Sequence, residues 1–290
     1  MHANFSLKVV SAAALLLSPV FVFASSDGTF DRTLNVSGHI TLSVNTGSGY
    51  IHVSPGSDNQ IHIIGHVRAG HGGWFDSGSG SADEQVKHIV ANPPIEQNGS
   101  DIRVGKTHSE WFHNVSIDYD VTAPKGTDLD ANSGSGDLRL NGLGGPLRAN
   151  TGSGNIEASA INGRVDLNTG SGDIRAAIQA TSDVRAQTGS GSIRLDNVQG
   201  TLRAQTGSGS MEIQGQPTDI WKLGTGSGDV TLRTGSSHFT LDASTGSGSV
   251  HSDPPLTTHG NLERHHIVGD INGGGPTVRV ETGSGDIHIL

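Results

Sequence analysis

The sequence lacks cysteine altogether and is poor in aromatic residues, which make up 4% of its 290 positions. Without cysteine the chain cannot form disulfide bonds, use a thiolate nucleophile, build a zinc–thiolate site or carry a lipid on a cysteine sulfur. Hydrophobic residues reach only 32%. That content is small for a broad globular core, but it suffices for a narrow core in which each repeat buries a few side chains.

Basic residues are also scarce, with 18 Lys and Arg against 28 Asp and Glu and a formal net charge of −10. Binding to nucleic acid depends on clustered positive charge that neutralises the phosphates. The mildly acidic balance of this chain therefore argues against nucleic acid as a partner.

Long hydrophobic runs are missing except near the N-terminus. Residues 1–24 combine Lys8, an apolar stretch over residues 9–23 and a Val22-Phe23-Ala24 cleavage site, which is the pattern of a secretory signal peptide. The stretch is shorter than the ~20 apolar residues that a membrane-spanning helix needs. We therefore expect export to the periplasm, the cell exterior or the cell surface, with no membrane span after the signal is removed.

The abundant residue is glycine, with 43 copies, and much of it falls in one repeated element, Thr/Ser-Gly-Ser-Gly. From Ser133 to Thr245 the element recurs every 18 to 20 residues. A fixed period of this length is typical of solenoid proteins. The last interval is 37 residues, which leaves room for one degenerate coil around residues 268–271. The element begins at Thr46, Ser133, Thr151, Thr169, Thr188, Thr206, Thr225, Thr245 and Thr282.

Positions within each unit are numbered here from the first Thr or Ser of the element, which is position 0. Positions −4 and −2 are apolar in every unit, and position −3 between them is always polar. Positions +5 and +7 are again apolar, apart from Ser252 at +7. This alternation indicates two short strands that each bury one face. The parity changes at the glycines, where a corner is expected because glycine tolerates unusual backbone conformations.

The predicted fold is therefore all-β, a parallel β-solenoid with two short strands in each coil of 18–20 residues. Recurrence of one residue type at each position favours stacking of like on like, whereas an antiparallel sandwich or barrel is the alternative. Parity also places the hydroxyls of positions 0 and +2 inward, where neighbouring coils would have to satisfy them. Position −1, mostly Asn or Gln, faces outward, and its amides are expected to bond from coil to coil.

Residues 25–127 are less regular than residues 128–290, which we expect to form the repeat solenoid. Strands are predicted at residues 61–67 and 114–122, and a short helix is predicted at residues 81–90. The glycine-rich residues 70–80 are expected to form a loop. A stacked array has exposed ends, so this irregular region is expected to cap one of them.

Three features together resemble the bacterial DUF4097 family: the Thr-Gly-Ser-Gly-Asp-Ile units, the segment 114–124, and the ending from residue 271 to 287. The resemblance covers roughly residues 35–290. It implies a β-solenoid in a surface or envelope setting, and the family carries the label adhesin. It implies no catalytic residue and no cofactor.

Position −3 provides the candidate binding residues. Over successive coils it forms a mostly basic outer stripe. Such a stripe suits an acidic glycan, another envelope polymer or a surface protein, although an ordinary charged face that keeps the sheet soluble is the simpler interpretation. The leading hypothesis is a non-enzymatic binding, adhesion or scaffold module. The stripe consists of Arg148, Asp166, Arg185, Arg203 and Lys222.

Two other classes of function remain open. A calcium-stabilised module is suggested by the aspartates at position +4, which are Asp137, Asp173, Asp229 and Asp286. A carbohydrate-active β-helix enzyme would need acids and bases gathered on one face, and no such group stands out. The glycine repeats lack the pattern of a phosphate-binding loop. We therefore predict no catalytic residue, no cofactor and no metal site, with the histidine pairs 62/66 and 265/266 on the surface.

Overall fold

A computed structural model describes residues 27–69, 82–105, 115–259 and 263–290. The predicted signal peptide (1–24) and glycine-rich loop (70–80) lie outside the described residues. The first elements in chain order are β1 (Asp27–Asn35), β2 (Thr41–Thr46), β3 (Ile51–Pro55), β4 (Gln60–Ala69), α1 (Ala82–Ala91), β5 (Ile95–Asn98), β6 (Asp101–Val104), β7 (Val115–Ala123), β8 (Asp128–Ser133) and β9 (Leu138–Asn141).

The remaining described elements are all strands. They are β10 (Leu147–Thr151), β11 (Ile156–Ile161), β12 (Val165–Thr169), β13 (Ile174–Ile178), β14 (Val184–Ser190), β15 (Ile193–Gln199), β16 (Leu202–Ser208), β17 (Met211–Gln216), β18 (Trp221–Ser227), β19 (Val230–Arg233), β20 (Phe239–Ser247), β21 (Val250–Ser252), β22 (Leu256–Thr258), β23 (His266–Ile271), β24 (Thr277–Ser284) and β25 (Ile287–Ile289).

Two long sheets of 12 and 13 strands make up the fold. Each repeat places one strand in the 13-stranded sheet and the next strand in the 12-stranded sheet. Successive repeats pair in parallel with equal positions opposite each other, so that Leu202 lies between Val184 and Trp221. The prediction of a parallel β-solenoid with two short strands per coil is confirmed.

The core lies between the two sheets and is built from the predicted apolar positions. Leu202 and Ala204 from one sheet and Met211 and Ile213 from the other are at most 1% exposed. One hydrophobic cluster runs through the whole stack, including residues on both sides of position 128. The division of the chain at that position stays a prediction.

One end of the stack is closed by the less regular N-terminal part. There β1, β4 and β7 pair antiparallel in the 12-stranded sheet, and β5 and β6 form an antiparallel hairpin in the other. The predicted short helix is present as α1 and buries Val86 and Ile89 in the common core. It packs over Gly28, where a Cβ would lie 2.6 Å from Val86 Cγ1. No helix in the described ranges is long and apolar enough to cross a membrane.

The C-terminal coil stands out of chain order. Strand β24 lies between β18 and β20, and β25 lies between β19 and β21. The chain thus forms the coil of β20 and β21 and continues into β22 and β23. It then returns and inserts β24 and β25 between that coil and the coil of β18 and β19. Strand β23 runs antiparallel to β20, with Ile271 opposite Phe239. The expectation of a degenerate coil around residues 268–271 is therefore wrong. This segment instead covers the exposed edge of β20, at the end of the stack, with antiparallel strands.

The glycines of the repeat are required by close contact between successive backbones. A Cβ added at Gly152 would lie 2.4 Å from the carbonyl oxygen of Gly134, and one at Gly154 would lie 2.0 Å from that of Gly136. Real Cβ atoms do not approach backbone oxygens so closely. The same contact recurs along the stack at positions +1 and +3, except at Gly47, which begins the +1 column and meets nothing.

The hydroxyl at position 0 links each coil to the previous one. Thr151 Oγ1 donates to the carbonyl oxygen of Gly136 at 3.0 Å and accepts the N–H of Gly154 at 3.1 Å. The donated bond is present in all nine coils, over distances of 2.7 to 3.0 Å. The hydroxyl is thereby satisfied despite its burial, which removes a penalty of about 1–3 kcal/mol.

The serines at position +2 face solvent, contrary to the inward orientation that strict alternation predicts. Ser48, Ser153 and Ser247, for example, are exposed, as are the other six. The alternation of buried and exposed positions ends at position 0, and positions +1 and +2 are both exposed. Strand pairing nevertheless continues to position +2 in several coils, as between Ser190 and Ser208. The result is a row of exposed hydroxyls along one corner of the stack.

Gly154→Ala tests the glycine contact, and Gly224→Ala is its matched control. A Cβ at residue 224 meets nothing within 4 Å. We expect Gly154→Ala to lower the free energy of unfolding by about 2–3 kcal/mol through overpacking. Gly224→Ala should be neutral or slightly stabilising, because alanine restricts the unfolded chain. Urea unfolding measures both, and equal stability of the two variants would refute the contact argument.

Candidate binding face of the 13-stranded sheet

The predicted basic stripe is assembled in register on the outer face of the 13-stranded sheet. Arg148, Asp166, Arg185, Arg203 and Lys222 occupy equivalent places on β10, β12, β14, β16 and β18. They project outward because their neighbours at −4 and −2 are buried.

The inserted C-terminal coil extends this stripe. Arg279 of β24 pairs with Lys222, and Asp242 of β20 follows it. Four cations therefore stand on consecutive strands, spaced about 4.8 Å apart, and this set is called the basic run. Arg279 occupies position −3 in the sequence as well, but in chain order Asp242 comes between it and Lys222. In the sheet, Arg279 comes first and Asp242 follows it. The basic run consists of Arg185, Arg203, Lys222 and Arg279.

Most of these cations have no acidic partner in the described part of the chain. No described carboxylate oxygen lies within 4.0 Å of the side-chain nitrogens of Arg148, Arg185, Arg203 or Lys222, whereas Arg279 pairs with Glu281. Arg185 donates a hydrogen bond of 3.0 Å to the amide oxygen of Gln187. Arg203 and Lys222 have only cations beside them in the stripe, so their positive charge remains available to a ligand. Arg148 instead lies in register between Asp130 and Asp166.

The amides at position −1 form the predicted ladder beside the stripe. Asn132 donates to Asn45 at 3.2 Å, Asn150 to Asn132 at 2.8 Å, and Asn168 to Asn150 at 3.2 Å. Further along the stack, Gln187 donates to Gln205 at 2.8 Å. These bonds fix a row of polar side chains next to the cations and give the face a regular, ordered surface.

The outer face of the 12-stranded sheet has a different electrostatic character. At its position +6, Arg194 contacts Glu212 at 2.8 Å and Arg139 contacts Glu157 at 3.5 Å. Arg175 pairs with Asp173 at 2.9 Å. A cavity of about 510 Å³ on this face includes Asp173, Arg175, Arg194 and Glu212 of these pairs in its lining. The arginines at position +6 of this face thus have carboxylate partners, whereas Arg203 and Lys222 on the other face have none among the described residues.

The aspartates at position +4, considered above as calcium ligands, serve as backbone acceptors. Asp137 Oδ1 accepts the N–H of Asn155 at 2.8 Å, and Asp173 Oδ1 accepts that of Ser192 at 2.9 Å. Asp286 does the same for Ser249 at 2.7 Å. Within the described ranges no group of three or more His, Asp or Glu side chains is placed to hold a metal ion.

The four histidines of the predicted pairs lie at the surface, and three of them pair with carboxylates. His62 contacts Asp31 at 2.7 Å, whereas His66 contacts Asp120 at 3.5 Å, so the two share no partner. His266 contacts Asp242 at 3.1 Å, and its neighbour His265 is exposed. These pairs connect the antiparallel end strands to their neighbours.

The fold thus defines the protein as a capped parallel β-solenoid. Residues 101–290 match the family model described as Toastrack DUF4097. That match covers more than half of the chain, so the protein belongs to this family and the resemblance is confirmed. No curated protein matches the chain.

Solved structures from three bacteria are similar to the chain. A putative adhesin from Bacteroides fragilis is 12% identical, covers 91% of this chain and 97% of its own, and has a TM-score of 0.43. One from Parabacteroides merdae is 11% identical, with coverages of 90% and 96% and a TM-score of 0.39. A putative cell adhesion protein from Clostridium sporogenes is 15% identical, with coverages of 90% and 99% and a TM-score of 0.25.

The carboxylate of Asp286 provides a pH-dependent prediction. The backbone N–H of Ser249, and then its hydroxyl, hold the pKa of Asp286 below its ordinary value by bonding to the charged form. A carboxylate with a lowered native pKa contributes stability above its unfolded pKa of about 4, and this contribution is lost as the pH falls through the native pKa.

Asp286→Asn should therefore flatten the loss of thermal stability below about pH 4, as measured by Tm over a series of pH values. Ser249→Ala keeps the backbone N–H, which is the larger cause, and should change the profile less. Identical profiles for the wild type and Asp286→Asn would contradict this role of the carboxylate.

Proposed function

We propose that the protein is an exported, non-enzymatic module of the bacterial envelope that binds an acidic polymer, most naturally a glycan, through the outer face of its 13-stranded sheet. Binding of this kind serves adhesion or scaffolding. The ligand contacts are assigned to the stripe Arg148, Asp166, Arg185, Arg203 and Lys222, extended by Arg279.

The observation that carries the proposal is the unequal pairing of charge on the two faces. Arginines on the 12-stranded sheet have carboxylate partners, whereas Arg148, Arg203 and Lys222 have none among the described residues. Solvation alone does not explain this difference between the faces, because both paired and unpaired charged side chains keep a sheet face hydrated. A row of open cations does create a local positive potential on a protein whose net charge is −10.

The periodicity of the face suits an extended ligand. Equivalent side chains recur about every 4.8 Å along the stack. A polymer lying along the stack meets several cations at once, and each further contact is made within an already formed complex. Individually weak, exposed ion pairs of less than about 1 kcal/mol then add up to useful affinity.

Adhesion also appears in the names of the similar structures, which describe adhesins and a cell adhesion protein.

The carboxylates on the face favour a binding role over an enzymatic one. Asp130 accepts a hydrogen bond from Asn132 at 2.9 Å, and Asp166 accepts one from Asn168 at 2.8 Å. Both are tied into the amide ladder and are not presented as a free acid and base pair.

A pair of triple variants tests the proposal. Arg185→Gln, Arg203→Gln and Lys222→Gln together remove charge from the proposed face, and Arg139→Gln, Arg175→Gln and Arg194→Gln remove the same charge from the opposite face. We expect the first set to weaken binding to polygalacturonate on the order of tenfold or more and the second set to change it little. Titration calorimetry at low and physiological salt measures both, and added salt should weaken wild-type binding.

Equal losses in the two triple variants would refute the assignment to this face. Absence of wild-type binding to polygalacturonate, to dextran sulfate and to the polymers of the native envelope would refute the ligand class. Shortening of the polymer during incubation would favour the enzyme instead. Fractionation of cells that make the protein, with the mass of the mature chain, tests export and cleavage after Ala24.

A further inference from the structure

The column of amides at position −1 ends at Gln205, because the same position on the next strand is Gly224. Gln205 precedes it on β16, and Glu281 follows it on the inserted strand β24. The missing side chain leaves a gap between the two, directly beside the basic run. This gap is called the Gly224 notch, and it is lined by Arg203, Gln205, Lys222, Leu223, Gly224, Arg279 and Glu281.

The backbone does not require glycine at this position. The φ angle of Gly224 is not in the positive range that favours glycine, and a Cβ there would meet nothing within 4 Å. The repeat glycines differ in this respect, because a Cβ at Gly226 would lie 2.5 Å from the carbonyl oxygen of Gly207. Neither conformation nor packing explains residue 224, so the space that it leaves open calls for another reason.

The notch has a volume of about 230 Å³ and converging polar groups. Gln205 uses its amide oxygen to accept from Gln187, and its NH₂ group has no hydrogen-bond partner within the described ranges. In a continuous ladder that group would meet the side chain of residue 224. The ladder therefore ends in an unused donor at the edge of an open space.

The charges around the notch are arranged unequally. Arg203 and Lys222 have no carboxylate partner in the described part of the chain. Arg279 is held by Glu281, with Nε donating to a carboxylate oxygen at 2.7 Å. Cationic donors thus lie along the −3 side of the notch, and Glu281 supplies a hydrogen-bond acceptor at its far end.

We infer that the Gly224 notch is a subsite for one hexuronate unit of the acidic glycan, an inference that rests on the proposed function. Arg203 and Lys222 bind the carboxylate of the sugar, and Arg203 can do so with two parallel hydrogen bonds. Gln205 donates to a sugar oxygen, and Glu281 accepts from a sugar hydroxyl. A densely sulfated or phosphorylated ligand would place negative charge against Glu281, which disfavours it.

Gly224→Gln tests the subsite, because it continues the amide ladder and fills the notch without changing any charge. Ser244→Gln is the matched control, since it introduces the same side chain at position −1 on the other side of Glu281. Titration calorimetry with polygalacturonate and with dextran sulfate gives the affinities of both variants. Thermal unfolding, alongside Gly224→Ala, establishes that each is folded.

We expect Gly224→Gln to weaken polygalacturonate binding tenfold or more, to leave dextran sulfate binding within about twofold, and to melt like the wild type. Ser244→Gln should bind both polymers like the wild type. Unchanged polygalacturonate affinity in Gly224→Gln would overturn the subsite while leaving the binding face intact. Equal loss for both polymers would also overturn it, because the notch would then have no preference for uronate. Failure of the wild type to bind polygalacturonate would overturn the subsite. The proposed function would fall with it only if dextran sulfate and the polymers of the native envelope also failed to bind.

Discussion

Backbone contact at the glycine corner sets the geometry of the whole stack. Because the carbonyl oxygen of one glycine occupies the place where the next would carry a Cβ, adjacent coils approach as closely as their backbones allow. The position 0 hydroxyl then bonds across this contact to the carbonyl of the previous coil. Steric exclusion and a directional hydrogen bond act at the same point, so one register is favoured over any slipped alternative. The same register aligns the outward-facing side chains at each position of the repeat, including those of the candidate binding face.

The sequence was sufficient to predict the elements that depend on local periodicity. Alternation at −4 to −2 and at +5 to +7 identified the strands, and recurrence of like residues identified parallel stacking, down to the amide ladder. Two predictions failed where the chain departs from simple alternation or simple order. The serines at +2 face outward because alternation stops at the glycine of position +1, and residues 268–271 form an antiparallel end strand instead of a coil.

The candidate face was only partly predictable for the same reason. Arg148, Asp166, Arg185, Arg203 and Lys222 follow one another in chain order, so their alignment follows directly from the repeat. The neighbours that complete the face are separated from Lys222 by more than fifty residues, and a regular pattern carries no information about an inserted coil. Pairing of charge is equally hidden from the sequence, since arginines occur on both outer faces but have carboxylate partners mainly on one.

Insertion of β24 between β18 and β20 affects the candidate binding face as well as the end of the stack. If β20 followed β18 directly, Asp242 would lie beside Lys222 and would end the basic run after three residues. Ser244 would then face Gly224 in place of Glu281, and the notch would have a hydroxyl in place of its carboxylate acceptor. The inserted strand instead places Arg279 and Glu281 at these two positions and moves Asp242 one strand further away. The topology that closes the end of the solenoid therefore also determines the charge pattern of the face, because both follow from which strand lies next to β18.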